Sequence, residues 1–287
     1  MSNPVFSRLE TEWDKEASAQ NAAAAAQAAK LGQHPGYDQR AFQEAQAAYE
    51  APAADAVDTG RMTVDDVIVK TLICLVTAFA FAAGAWWLTS TYPTAGMAVM
   101  SISFIAGFVV AMVNIFSRSI KPALVLLYSA LEGAALGALS YVTNAAIPGV
   151  VLQAVIATFA VFFVTLALFT SGKVRNSPKM QKFVLIGLIG LIVSRLAIWL
   201  LGLIGLPVYG IYDQQIFGIP LGVFISVFAV IMGALSLIGD FDQVRVGVQQ
   251  GVPAKFAWSS AFGIMVTLIW LYVEILNLLS RLNSRSN

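Results

Sequence analysis

Beyond residue 62 the chain carries seven apolar stretches, each close to the roughly 20 residues a helix needs to cross a bilayer core. They run Val67–Leu88, Gly96–Phe116, Ala123–Asn144, Val150–Thr170, Phe183–Leu203, Ile216–Ile238 and Ala261–Leu282. At that depth no water satisfies the backbone, so a span of this kind must close its own hydrogen bonds as a helix. The expected fold is an all-α membrane protein, a bundle of seven transmembrane helices. Only 11% of the residues are charged, where a soluble domain carries about 25%. A net charge of +1 gives no reason to expect nucleic acid. Cys74 is the single cysteine, so no intrachain disulfide supports the fold.

Charge is distributed unevenly. Up to Asp66 there are eleven acids and five Lys or Arg; from Val67 onward there are five acids and twelve Lys or Arg. Residues 1–62 therefore read as a polar, acidic tail, partly helical or disordered, and 63–287 as the transmembrane domain. The tail opens on a charged run with no apolar core, so insertion is expected to start from the first span. Within it, Arg8–Lys30 has high helix propensity but almost no apolar stripe. It reads either as a solvated helix or as a docking arm carried by Phe6, Leu9 and Trp13. His34, the only histidine, sits beside Pro35 and reads as a solvated residue. Thr63 with Asp65 and Asp66 makes a helix start before the first span, and Pro122 and Pro220 suit the first turns of the third and sixth.

Loop charge gives an orientation. The loops after spans two, four and six carry Arg118, Lys121, Lys173, Arg175, Lys179, Lys182, Arg245 and Lys255, and the loops after spans one, three and five carry no Lys or Arg. Cationic loops stay inside, so the N-terminus is expected in the cytoplasm and the C-terminus outside. Trp86, Trp87, Tyr92, Tyr209 and Tyr212 then form an outer aromatic belt, with Arg281 and Arg285 the discordant charges. Gly133, Gly137, Gly187 and Gly190 read as sites of close helix packing.

Four of the five acids beyond Val67 fall within or at the edge of a span. An ionised side chain costs about 3 kcal/mol at the middle of a membrane helix, so each one is a candidate functional residue. Glu132 lies nine residues into the third span and Arg195 twelve into the fifth, about 14 Å and 18 Å from the basic face. Similar depth and opposite charge make Glu132 with Arg195 the expected ion pair, either a structural clamp or part of an ion path. Asp240 and Asp242, at the basic end of the sixth span, point about 200° apart on a helix, so at most one faces inward. Glu274 lies inside the seventh span and needs a partner or a watery cavity, with Asn277 one turn on as a candidate for the same face.

The third-span run PALVLLYSALEGAALGALS, the FDQ at 241–243 and WLYVEILNLLSRL at 270–282 resemble the Bax-inhibitor/YccA-like family, the transmembrane Bax inhibitor motif proteins. Asn3-Pro4-Val5-Phe6 and Met62-Thr63-Val64-Asp65-Asp66-Val67 are similar to its bacterial branch with a long N-terminal tail. The resemblance implies a bundle with the seventh helix central, in a bacterial plasma membrane. It also implies a pH-sensitive leak for calcium or other cations, in which a sixth-helix carboxylate pairs with a seventh-helix one. By motif position these are Asp242 and Glu274, which would also form a transient calcium site, with Arg195 as the latch. The seventh-helix acid is usually Asp in the family and is Glu here. With the span boundaries above, Asp242 and Glu274 are offset by about 10–15 Å along the helices, so pairing requires the sixth helix to run deeper.

Two carboxylates sharing a dry site hold a proton between them, and losing it forces them apart while creating oxygen ligands suited to calcium. The alternative is an interaction protein that modulates a membrane-bound protease or stress response through its cytoplasmic tail. No phosphate loop, His or Cys metal cluster or Ser–His arrangement marks an enzyme, and no cofactor is expected beyond calcium and protons as transported or sensed ions. An intramembrane protease built on Asp240 or Asp242 with Glu274 lacks the surrounding sequence of one. The expected partners are the lipid bilayer, these ions and a membrane protease.

Overall fold

A computed structural model of the protein describes residues 15–16, 18–23, 26, 60–117, 121–205 and 209–283. Among them seven helices are long and apolar enough to cross a membrane. They are α1 (Val64–Thr91), α2 (Pro93–Phe116), α3 (Pro122–Ala146), α4 (Val150–Thr170), α5 (Pro178–Leu203), α6 (Leu221–Gln249) and α7 (Ala257–Asn283). The all-α membrane bundle and the count of seven stand as expected.

Local chemistry sets several of the ends. The Thr63 hydroxyl accepts from the Asp66 amide at 3.0 Å, and the Thr63 amide donates back to the Asp66 carboxylate at 3.2 Å, a reciprocal cap that starts α1. Pro122 and Pro178 begin α3 and α5, where the missing N–H costs nothing. The sixth helix begins later than the sequence suggests. Gln215–Ile216 (β1) and Ile219–Pro220 (β2) pair antiparallel around Phe217 and Gly218, whose φ values of 54° and 77° make a mirror-image hairpin turn. Helix α6 therefore starts at Leu221, with Pro220 capping it. It also ends later, at Gln249, because the acids at 240 and 242 find partners within the bundle and the helix passes through them.

Half or more of the apolar stretches of α3, α6 and α7 is buried, against less than a quarter in the other four helices. Helix α7 packs on α1, α3, α4 and α6 and is the centre of the bundle. Helix α5 rests chiefly on α6. The tightest approach is α1 against α3. A Cβ on Gly133 or Gly137 would overlap the backbone of Ala78 or Ala82, so only glycine allows that spacing. Gly187 meets only the side-chain tips of Met232 and Phe228 of α6, which can shift, and Gly190 faces open space.

A short strap runs across the basic end, the end that carries the α2–α3, α4–α5 and α6–α7 connections. The Met62 amide donates to the Val252 carbonyl at 2.7 Å, and the Ala254 amide donates to the Gly60 carbonyl at 2.9 Å. The Met62 side chain is fully buried in the main core with Val252 and Phe256. In the tail, residues 15–16, 18–23 and 26 are helical and mostly exposed, and Glu16 reaches Lys255 at 2.6 Å. Phe6, Leu9, Trp13, His34, Arg118 and Arg285 lie outside the described residues.

Candidate functional site

One stripe of helix α7 is polar. Thr267, Trp270 and Glu274 are spaced by three and four residues, which stacks them along one face. At the upper level of this stripe the Glu274 carboxylate is completely buried. Arg195 of α5 closes on it with both terminal nitrogens, one at 2.7 Å from Oε1 and the other donating to Oε2 at 2.7 Å. The Trp270 indole donates to Oε1 at 3.0 Å. A lone buried carboxylate would cost several kcal/mol in desolvation; a bidentate guanidinium with a further donor offsets much of that. The Arg195 side chain remains 41% exposed, so the pair lies between the interior and the lipid-facing rim.

This pairing corrects the expected Glu132–Arg195 bridge. Helix α5 begins at Pro178, five residues before the apolar run, so Arg195 lies seventeen residues in rather than twelve. Glu274 lies seventeen residues into α7. Both are then about 26 Å from the basic end, whereas Glu132, ten residues into α3, is about 15 Å from it. Glu132 is buried against Gly107 of α2, and no donor among the described residues hydrogen-bonds it.

At the lower level of the stripe, Thr267 donates to the Asp240 carboxylate at 2.6 Å. Asp240 is 2% exposed and lies nine residues before the end of α6, about 13 Å inward. It is not at a helix end, and of the two neighbouring acids it is the one that turns inward. Asp242 instead takes Arg245 on its own helix at 2.7 Å, and Arg245 also lies over the Phe169 ring of α4. The resemblance-based partnership of Asp242 with Glu274 is therefore corrected: each of the two acids is occupied by a different arginine. Among the described residues no three His, Cys, Asp or Glu side chains gather as a metal site. Asn277, three residues beyond Glu274, is exposed, and no hydrogen bond joins the two among the described residues. Arg281, discordant in the loop-charge pattern, packs over the Tyr212 ring at 5.0 Å.

Thr267 and Trp270 were not foreseen as partners, although their spacing from Glu274 was readable as one helical stripe. The contact of the Ser140 and Tyr272 hydroxyls at 2.6 Å joins residues distant in sequence and left no local signal.

A central helix that gathers a buried ion pair and a buried acid defines an integral, multi-pass membrane protein with an ionisable interior. Residues 3–284 match the family model described as Bax inhibitor 1 like, and the chain belongs to that family. No curated protein matches the chain.

Proposed function

We propose that the protein is a pH-sensitive leak path for calcium or other cations in a bacterial plasma membrane. The observation that carries this reading is the fully buried Glu274 held bidentate by Arg195. Because α5 packs chiefly on α6, this bridge is its polar tie to the central helix. The tie needs Glu274 ionised. In this reading protonation of the intramembrane carboxylates is the gate: once the attraction is lost, Arg195 is free to turn toward the exposed rim and α5 loosens from α7. The gap so formed borders the Thr267 and Asp240 oxygens, the ligand type that hard cations take. Flux is then low near neutrality and rises as pH falls.

The test is calcium entry into proteoliposomes across a pH series, with the intact chain, Glu274→Gln and Asp240→Asn. A wild-type flux that ignores pH, or one unchanged by both neutralisations, removes the leak reading. The second reading, a partner role through the tail, draws on the contact of Glu16 with Lys255 in the α6–α7 connection. Flux from a chain lacking residues 1–59 separates transport from that role.

A further inference from the structure

A cleft of about 440 Å³ opens on the flank of the bundle between α1 and α4. These two helices do not pack along each other, so their separation is the mouth, while α3 and α7 form the floor. The stacked rings of Phe79 and Phe159, 6.3 Å apart, span the mouth. Its lips merge with lipid-facing side chains, Leu152 65% and Ile156 60% exposed on α4. The walls are almost entirely apolar, so the cleft offers water too few partners to hold it in order. Its volume lies in the range of pockets that take small amphiphiles.

Four side chains of the lining carry a polar group, Trp86, Ser140, Thr158 and Tyr272, and the Thr158 hydroxyl is taken by the Ala154 carbonyl of its own helix. Ser140 of α3 and Tyr272 of α7 hydrogen-bond to each other on the floor. That bond uses one of their two O–H donors, and the other has no partner among the described residues. Ser140 lies six residues from the end of α3 opposite the basic face, about 9 Å along the helix. That is close to the depth at which a phospholipid ester meets the hydrocarbon. We propose that the cleft binds one acyl chain of a bilayer phospholipid, entering between α1 and α4 beside the Phe79–Phe159 ring pair, with the free hydroxyl donating to its ester carbonyl. Lipid is the solvent on this flank, and the cleft is continuous with the surface that lipid already covers.

The test uses the full chain in phosphatidylglycerol vesicles containing phosphatidylglycerol with a photoactivatable diazirine on one acyl chain. The expected result is labelling of the buried floor residues Met265 and Leu268 that saturates and is competed by unlabelled phosphatidylglycerol. Val155→Phe, which fills the cleft from α4, abolishes the floor label while the label on Ile186, on the far-side helix α5, persists. The double variant Ser140→Ala with Tyr272→Phe leaves neither hydroxyl of the pair, and its half-saturation moves about fivefold higher, the loss of one neutral hydrogen bond. Floor labelling that never saturates and is equal in Val155→Phe would mean annular lipid only and overturn the proposal. Labelling competed by a free fatty acid but not by phosphatidylglycerol overturns it as well. If the double variant binds as the wild type does, the ester contact is wrong.

Discussion

Arg195 and Glu274 meet through both guanidinium nitrogens although 79 residues separate them in the chain. The two ends of this contact are not equivalent, since Glu274 is fully enclosed and Arg195 is 41% exposed. Removing the arginine strands a buried charge; removing the acid leaves a cation that can reach the rim. Arg195→Ala is therefore expected to destabilise the bundle by roughly 2–3 kcal/mol, below the 3–5 of a wholly buried pair because one partner is already partly exposed. Glu274→Gln should cost less. The double variant Arg195→Met with Glu274→Met should lie close to wild type, because it removes both charges and keeps the volume. Thermal unfolding in detergent ranks the three, and a double variant worse than Arg195→Ala would contradict this account.

The proposed pH response is tested at the same contact. The bridge needs a charged carboxylate at 274, and Glu274→Gln removes that charge at every pH. Each ~1.4 kcal/mol lost from such a latch is about tenfold in the ratio of open to closed forms. Wild-type flux should rise on acidification, and Glu274→Gln should be high at all pH values with a flattened profile. A Glu274→Gln flux that stays low and still rises in acid would place the sensor elsewhere, with Asp240 and Glu132 the remaining buried acids.

Asp240 and Asp242 are two residues apart and are expected to behave differently. Asp240→Asn changes a 2% exposed group bonded across helices to Thr267, at a cost on the order of 1–3 kcal/mol. Asp242→Asn loosens an ion pair with Arg245, itself about half exposed, for which about 1 kcal/mol or less is expected. Unfolding midpoints and flux measured side by side check the order. The reverse order would restore Asp242 as the inward acid.

Close packing gives a contrast that does not depend on transport. Gly137→Ala must push α1 away from α3, since the added carbon meets the Ala82 backbone and not a movable side-chain tip. A loss of at least about 1–3 kcal/mol is expected. Gly190→Ala faces open space and should be neutral or slightly stabilising, as alanine favours helix by about 1 kcal/mol over glycine. Equal effects of the two would mean that α1 and α3 are further apart than described.

Where the sequence could be read and where it could not follows from the range of each signal. Seven spans were legible because hydropathy accumulates over twenty neighbouring residues. The Thr63–Asp66 cap and the glycine contacts of α3 were legible because each depends on a few local positions. Glu274 was legible as a costly buried charge, but its partner was not. The apolar run beginning at Phe183 hid the first five residues of α5, and that error alone moved Arg195 by about 8 Å, from the level of Glu274 to near that of Glu132. The sixth helix failed for the opposite reason. Its acids marked a polar end by composition, whereas Thr267 and Arg245 supply tertiary and local partners that let the helix continue. Ser140 with Tyr272 had no sequence signal at all, since hydroxyls in apolar helices more often bond to their own backbone.

The strap at the basic end yields a prediction about where the folded body begins. Met62 is fully buried among Val252 and Phe256, and its amide and the Gly60 carbonyl are both bonded to the α6–α7 connection. By contrast the Glu16–Lys255 pair joins side chains 37% and 58% exposed, a contact expected to add about 1 kcal/mol or less. A chain beginning at Gly60 keeps the strap; one beginning at Thr63 keeps the α1 cap but loses Met62 and both backbone bonds of the strap, one from the Met62 amide and one to the Gly60 carbonyl. Met62→Ala in the full chain should cost about 2–5 kcal/mol, as for other fully buried methionines, while Lys255→Ala should leave unfolding nearly unchanged. Truncation to Thr63 should destabilise at least as much as Met62→Ala, and truncation to Gly60 much less. If the two truncations unfold alike, the strap is an ornament of the tail and the α6–α7 connection is held by its own helices alone.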